Sequence, residues 1–432
     1  MLLSTHTFAQ ENNELKQPTE QLAPINVISN QEVGYEYSGL VTDERKIITS
    51  NKNLITNNHD LVHNSTDLGI PEIGRYGSQG FNIRGVEGNR VAIEVDGIEQ
   101  EQSNIYPAYD FHNNSRVDID TELMRTVDIN KGGNPFSANS GLGGLVSYKT
   151  KNADDLLLDR HPVGVYLKNT YNGKYKQWIN TAGGAFATRY VDGLMLYSHR
   201  QGHETQIERY DNGSHIGPER SLPNPYEQRQ YNYLAKLGFN LNPENRIDLK
   251  LDKQHNKTNG YELTQESLPY NKIADLQERK SYTINYSYMP VNKWFNLAKI
   301  GFTHQQTLFE GNNTYGQIAD NESNNVYSTK LNQINGQFNF SPITIYRSEH
   351  NFNISSLYNK HDFKTHRIRH RDNEYTEQQT PVKTNRFNLS FSDRMSFNNG
   401  ISAYASLHYD PYITIAIRPI QKVNYKQHIY PF

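Results

Sequence analysis

Two patterns of apolar and polar positions divide the chain. From about residue 156 onward, apolar and polar side chains alternate with a period of two, as in strands with one greasy and one wet face. Tyr231, Tyr233, Ala235, Leu237, Phe239 and Leu241 share one face of a predicted strand, with Asn232, Lys236 and Asn240 on the other. The turn Asn242-Pro243-Glu244-Asn245 follows, after which Ile247, Leu249 and Leu251 alternate with Asp248, Lys250 and Asp252. Tyr282, Ile284, Tyr286 and Tyr288 repeat the pattern, with a turn at Pro290–Lys293 and a return strand over Trp294–His304. Further strands are predicted over 164–172, 176–187, 191–200, 333–340, 350–359, 386–397 and 401–409. Short turns at 242–245, 290–293 and 398–400 alternate with long polar stretches at 202–228, 253–279 and 308–325, which are predicted as loops. Short turns at one end and long loops at the other are expected of an antiparallel barrel that crosses a membrane.

The first 155 residues follow a different pattern. Thr7-Phe8-Ala9 before Gln10 has the ending of a secretory signal, but the apolar run before it is short and no basic residue precedes it, so 1–9 are expected to be the remnant of a longer leader. Residues 11–22 are mostly Glu, Asn, Gln and Lys and are expected to be flexible. Leu22–Ser29 is a short β-prone island suited to adding a strand to another protein's sheet edge. Residues 44–80 look helical and then loop-like. Phe81 and Ile83, then Val91, Ile93 and Val95, predict two strands of a hairpin, with Gly85, Gly88 and Asn89 in the connection and a second turn at Asp96-Gly97. Arg84, Arg90 and Glu94 are expected to pair within that sheet. Val117-Asp118-Ile119 and Val127-Asp128-Ile129 predict two more strands. The run from Lys131-Gly132 through Gly141, Gly143 and Gly144 to Tyr148 is glycine-rich, yet it lacks the Lys-Ser/Thr pair or the Gly-x-Gly-x-x-Gly spacing of a phosphate-binding loop.

Composition narrows the classes. The 432 residues carry 44 Lys plus Arg against 46 Asp plus Glu, so nothing points to nucleic acid. Cysteine is absent, which removes disulfides, thiolate metal sites and thiol nucleophiles. With mean hydropathy at −0.82 there is no run of ~18 apolar residues for a helical span, whereas barrel strands average out polar. The 30 tyrosines suit strand ends at a membrane interface. His366 and His370 stand four apart without the Glu of a zinc-protease helix, and His350 and His361 are isolated. No serine–histidine–aspartate or paired-carboxylate arrangement can be picked out, and no enzyme activity is predicted.

The wording Ile83-Arg84-Gly85-Val86-Glu87-Gly88-Asn89-Arg90-Val91, followed by Val95-Asp96-Gly97 and later by Lys131-Gly132 and Gly141-Leu142-Gly143-Gly144, resembles the plug domain of TonB-dependent outer-membrane receptors. Gly69–Ser78, just upstream, is similar to the version found in receptors for haem and for host haem or iron proteins. The resemblance implies an N-terminal α+β plug domain over 31–155 and antiparallel transmembrane β-barrel strands over 156–432. Residues 10–30 would then be a flexible segment whose Pro24, Ile25, Asn26, Val27 and Ile28 form the TonB box. It also implies a place in the outer membrane of a Gram-negative bacterium, with the plug facing the periplasm. The implied partners are the periplasmic TonB energy-transducing complex, haem or a host haem or iron protein at the cell surface, and outer-membrane lipid. No intrinsic cofactor is implied; haem or iron is cargo, and His59, His63 and His112 are the candidate haem ligands. Import of a siderophore or another nutrient is the alternative, and a non-transporting relic or surface-binding fragment is a third. At roughly 25 residues per strand, the 156–432 stretch holds ~10–12 of the 22 strands such receptors have, so an incomplete product, unable to transport by itself, is expected.

Overall fold

The computed structural model describes residues 42–46, 55–63, 65–71, 80–100, 119–132, 141–158, 161–205, 216–217, 222–263, 271–291, 293–314, 322–369, 374–376, 381–399 and 401–416. Its N-terminal part comprises β1 (Thr42–Lys46), α1 (Asn58–Val62), β2 (Leu68–Gly69), β3 (Asn82–Ile83), β4 (Val91–Val95), β5 (Ile98–Glu99), β6 (Met124–Asn130) and β7 (Gly144–Thr150). Five of these strands form one sheet in the order β1-β6-β7-β4-β5. Only β4 and β7 run parallel within it. Val91, Ile93, Val95, Val127, Ile129 and Val146 are each at most 5% exposed and form its core with Leu61 and Tyr148. Each such side chain contributes about 1.5–3 kcal/mol by leaving water. Leu194, Leu196 and Leu234 of the later strands join the same core, so the plug and the strands around it share one apolar contact.

Several local expectations are corrected. The helix is confined to Asn58–Val62, where Asn57 and Asp60 cap it reciprocally, and the segment expected to begin it at residue 44 is strand β1. The predicted hairpin across 81–95 does not form. Arg84 and Gly85 take left-handed φ values of 51° and 83° and turn Ile83 back onto Val86, and a 3-10 turn at Gly88–Arg90 redirects the chain. β3 therefore pairs with β2 in a separate two-stranded sheet, while β4 enters the main sheet. The second turn is as expected: Asp96 (φ 51°) and Gly97 (φ 77°) close a two-residue hairpin between β4 and β5. Ile119 lies outside any strand, ahead of a 3-10 turn at Thr121–Leu123, and Val117 and Asp118 are outside the described residues.

The two glycine motifs meet in space. Gly143 N donates to Arg90 O at 2.8 Å, so the glycine run lies directly on the turn before β4. A Cβ on Gly141 would sit 2.5 Å from Arg90 O and 2.7 Å from Ala92 N. Gly144 has φ of 139° and faces the Asn130 carbonyl and Ile83, leaving no room for any side chain.

The remaining strands form one long antiparallel sheet. They are β8 (Val163–Asn172), β9 (Gln177–Ala187), β10 (Val191–His203), β11 (Tyr226–Asn242), β12 (Asn245–Glu262), β13 (Asn271–Tyr288), β14 (Phe295–Thr314) and β15 (Glu322–Phe340). After these come β16 (Ile343–Ile345), β17 (Ser348–Arg369), β18 (Glu374–Thr376), β19 (Val382–Phe397), β20 (Ser402–Tyr409) and β21 (Tyr412–Ala416). Eleven of them follow one path from β8 to β20, within the 10–12 expected, and among the described residues β8 and β20 do not pair with each other. β20 and β21 both pair with β19 and are interrupted at Asp410-Pro411, where proline has no N–H to give the ladder.

Every strand predicted here is present, but the stretches 253–279 and 308–325, expected as loops, are mostly strand. β12 to β15 and β17 run 18–22 residues each, about twice the ~9–11 that cross a bilayer. Beyond the membrane neither strand face meets lipid, so the alternation that marks a strand disappears there. Within the band it is plain. Leu249, Leu251, Ile284, Ile300, Phe302, Ile334, Leu389 and Phe391 point outward and are exposed. Asn232, Gln254, Thr303, Gln305, Gln333 and Asn359 point inward and are buried. Aromatic girdles edge the band. Phe295–Phe338 stack at 4.8 Å and Phe338–Phe340 meet edge-on at 5.1 Å near the tight turns, and Tyr197–Tyr233 (5.0 Å) lies toward the longer connections.

We expect Gly144→Ala to destabilise the plug by roughly 2–4 kcal/mol, through both the positive φ and the blocked space. Gly88→Ala, at φ 67° with open space around it, should cost about 1 kcal/mol. Hydrogen exchange of the β4 and β7 amides in the whole chain measures both, and an equal effect of the two substitutions would contradict the packing described.

Candidate functional site: the plug seated in the strand wall

Four carboxylates on the plug point at cations on the surrounding strands. Asp96, in the β4–β5 turn, accepts from Thr150 N (2.9 Å), Thr150 Oγ1 (2.6 Å) and Lys250 Nζ (2.8 Å), with Lys236 Nζ at 3.8 Å. Lys236 also donates to Asn152 Oδ1 at 2.7 Å. Glu99, on β5, accepts from Asn359 Nδ2 at 2.6 Å, with His361 Nε2 and Arg386 Nη1 each 3.6 Å away. Asp120, before the 3-10 turn, is bound by Arg200 through Nε (2.8 Å) and Nη2 and by Asn232 Nδ2 (2.6 Å). Glu122 takes both hydrogen bonds of Lys168 Nζ, at 2.9 and 3.1 Å. These cations come from β8, β10, β11, β12, β17 and β19, so the plug is tied to strands spread along the sheet.

The electrostatics follow from burial and from the partners. Burial raises the cost of ionising Asp96, but the ammonium groups of Lys236 and Lys250 outweigh it and hold the carboxyl far below its ordinary value. Burial likewise opposes the charge on Glu99 and Asp120, and His361 with Arg386 in the first case, and Arg200 in the second, lower both. Asp120 and Arg200 are 2% and 6% exposed, so neither charge is tolerable alone. Arg279, 2% exposed, bridges plug and wall differently, donating to Gln100 Oε1 at 2.7 Å and to Asp252 Oδ2 at 2.9 Å. Gln333 closes the contact from β15, donating to Gly97 O (2.8 Å) and accepting from Glu99 N (3.2 Å). A polar cavity of about 110 Å³, lined by Asp96, Lys149, Asp154, Lys236, Arg246 and Lys250, opens beside this contact near the tight turns.

The motif residues named from the sequence hold the plug together more than they face outward. Arg84 and Lys131 both reach Asp67, at 3.5 and 2.9 Å, and the Lys131 hydrogen bond keeps the Asp67 carboxyl below its usual range. The expected pairing of Arg84 and Arg90 with Glu94 is not what forms: Arg90 Nε donates to Glu87 O, and Glu94 accepts from Ser147 Oγ at 2.7 Å. Asn89 lies in the 3-10 turn, and Gly132 follows β6 at φ 119°. Of the sequence candidates among the described residues, Asp96 alone takes part in the charge contact with the wall. Glu99, Asp120, Glu122 and their partners were missed because single charged residues in polar runs carry no pattern.

The histidine candidates separate. His59, on α1, is half-buried and His63, which follows it as the C-cap, is exposed, and His112 and the stretch Pro24–Ile28 lie outside the described residues. Thr56, just before α1, meets Asn172 Nδ2 at 3.1 Å and Arg200 Nη1 at 2.5 Å, which places α1 beside the Gly173–Tyr175 turn that follows β8 and near the end of β10, opposite the turn at 242–245. Among the described residues, no three His, Asp or Glu side chains converge as a metal site. The fold does bring Ser348, His350 and Asp393 into a hydrogen-bonded row, at 2.9 and 2.7 Å. His350 Nδ1 donates to Asp393 Oδ2, and Ser348 Oγ has one proton to share between Ile345 O at 3.0 Å and His350 Nε2.

The description TonB-dependent Receptor Plug Domain matches residues 49–146. The hemoglobin-haptoglobin-binding protein A of Haemophilus influenzae is 30% identical over 258 residues, covering 55% of this chain and 25% of that protein. The hemoglobin-binding protein A of the same organism is 33% identical over 259 residues, with 55% and 25% covered. Among solved structures, the Serratia marcescens hemophore receptor HasR, in complex with its hemophore HasA and heme, gives a TM-score of 0.65 at 17% identity over 86% of this chain and 52% of HasR. The P. aeruginosa receptor FpvA, bound to pyoverdine, gives 0.66 at 13%, with 88% and 53% covered. The match thus spans about a quarter of the curated relatives and half of the solved receptors. Residues 49–146 match the TonB-dependent receptor plug domain, and the strands around them share the fold of the barrels in those solved receptors.

Proposed function

We propose that this chain serves a receptor that takes up haem iron at the outer membrane, from haem or from a host haem protein. The observation that carries this reading is the 30–33% identity to hemoglobin- and hemoglobin-haptoglobin-binding proteins over more than half of the chain. The solved pyoverdine receptors match at 13–14% identity and speak for the fold alone. In this proposal His59 and His63 face the ligand-entry side and are candidate haem ligands, with His112 a third. Pro24–Ile28 acts as the TonB box, adding a strand to the periplasmic energy transducer.

The chemistry asked of the chain is a gate. A plug held by buried, compensated charges stays closed without load, and a pull on its N-terminal segment has to separate plug carboxylates from wall cations before a path opens. Desolvated pairs are suited to this because they resist small displacements strongly and are replaced by water once parted.

Two outcomes are expected. Asp96→Asn leaves Lys236 and Lys250 facing a neutral group and should loosen plug seating by about 3–5 kcal/mol, seen as earlier protease access to the plug. The depressed carboxyls of Asp96, Glu99 and Asp120 contribute stability that is present above their unfolded values near pH ~4 and is lost as pH falls through the folded ones. Seating should therefore be flat from neutral pH down to about pH 5 and fail only in strong acid; loss near pH 6 would contradict the assignment. For the function, the whole chain displayed in the outer membrane should be retained on haemoglobin-agarose and released by free haem. Release by a ferric siderophore instead would sink the haem proposal.

A further inference from the structure

Independently of the cargo, the row Ser348–His350–Asp393 is placed where a chemical role can be read. Tyr358 on β17 and Phe387, Leu389 and Phe391 on β19 point outward, and by the period of two Ser348, His350 and Asp393 share that face. They lie where the apolar band ends, on the side of the tight turns. His350 Nε2 is 2.9 Å from Ser348 Oγ, and its Nδ1 is 2.7 Å from Asp393 Oδ2. Serine hydrolases join nucleophile, base and orienting carboxylate through these same atoms. With the Nδ1 proton given to Asp393, Nε2 keeps a lone pair that can take the proton of the Ser348 hydroxyl. Asp393 is 8% exposed, and its Oδ1 has no hydrogen-bond partner among the described residues. A carboxylate so shielded is costly until a positive charge forms beside it, and proton transfer from Ser348 to His350 forms one. Around the row, Phe352 stacks on His350 and on Phe391, each at 5.7 Å, and Phe340 meets Phe352 edge-on at 6.3 Å. Ser348 is itself 8% exposed and directly follows the hairpin tip Tyr346-Arg347. Tyr346 takes a left-handed φ of 58° there, a strained conformation of the kind that collects at functional sites.

We propose that Ser348, His350 and Asp393 form an ester-hydrolase site that acts on glycerophospholipids of the inner leaflet. The site faces lipid, and the tight turns mark the periplasmic end of a barrel of this kind. An acyl chain lying along Phe352 and Phe391 brings its ester to the height of Ser348, the depth at which a phospholipid carries its glycerol. Ser348 Oγ bonds to the ester carbonyl carbon as His350 Nε2 takes the hydroxyl proton. The carbon–oxygen bond to glycerol then breaks, and His350 returns the proton to the departing glycerol oxygen, which releases a lysophospholipid. Water adds to the acyl-serine, its proton passing through His350 back to Ser348 Oγ, and the free fatty acid leaves. Arg347, exposed at the hairpin tip, supplies a cation for the developing oxyanion. Ser348 and His350 are the catalytic residues, and Asp393 is a positioning residue that acts through His350.

The test uses the full chain purified in detergent, with two readouts. A long-chain alkyl fluorophosphonate should label the wild-type chain at Ser348, located by peptide mass. In mixed micelles with phosphatidylethanolamine, the same preparation should release fatty acid and lysophospholipid in equal amounts. Ser348→Ala should abolish both label and release, which also separates the chain's own activity from that of a contaminant. His350→Gln should lower turnover by roughly 10²–10⁴-fold. Asp393→Asn should lower kcat at unchanged KM, a split that a loss of folding would not give. Ser328→Ala, on the outward face of β15, should change neither readout. A wild-type chain that takes no label at Ser348 and releases no fatty acid overturns the proposal without recourse to any variant. Release that persists in Ser348→Ala, equal turnover in His350→Gln, or hydrolysis of p-nitrophenyl acetate but not of phosphatidylethanolamine would each overturn it as well.

Discussion

Burying a charge is costly unless its counter-charge is buried with it, and this constraint organises the contact between plug and wall. Asp96, Glu99, Asp120 and Glu122 would each be intolerable if buried between plug and wall without a partner. Each is instead met by a cation or amide from a different part of the sheet. The pairs fix the plug in position and orientation at once, because Arg200 meets Asp120 through two nitrogens while Lys236 and Lys250 hold the β4–β5 turn about 150 residues away in sequence. Apolar contact through Leu194, Leu196 and Leu234 adds cohesion, but it lacks this directional demand.

The same strands must satisfy lipid on one face and a charged domain on the other. A period of two solves both requirements: β12 shows Leu249 and Leu251 outward while Lys250 and Asp252 face the plug from between them. A one-residue slip in register would put Lys250 into hydrocarbon and Leu249 against Asp96. The ladder is therefore determined twice, by the membrane and by the plug.

How much of this was legible in the sequence follows from the physics of each part. The alternation in 231–251 and 282–288 exposed its strands because lipid imposes an apolar face there. The same strands were missed over 253–279 and 308–325 because no lipid acts on those residues. The motif around Gly85, Gly88 and Asp96 and the run Gly141–Gly144 were visible because glycine marks backbone that no other residue can adopt, and Gly144 shows why at φ 139°. The hairpin drawn across 81–95 was wrong because positive φ at Arg84, a non-glycine residue, leaves no trace in composition. The partners of Asp120 and Glu99 lie 80 to almost 290 residues away in sequence, and pairings at that distance exist only once the sheet is wrapped around the plug.

The account rests on the plug being held by coupled charges and not by shape alone, and a double-mutant cycle on Asp120 and Arg200 tests that most directly. Asp120→Asn, Arg200→Gln and the double variant would be compared by the hydrogen-exchange opening free energy of the β6 and β7 amides in the full chain. The predicted result is strong loss in each single variant and substantial recovery in the double, a coupling of about 1–3 kcal/mol. Additive losses, with coupling below about 0.5 kcal/mol, would contradict the account and leave packing as what seats the plug.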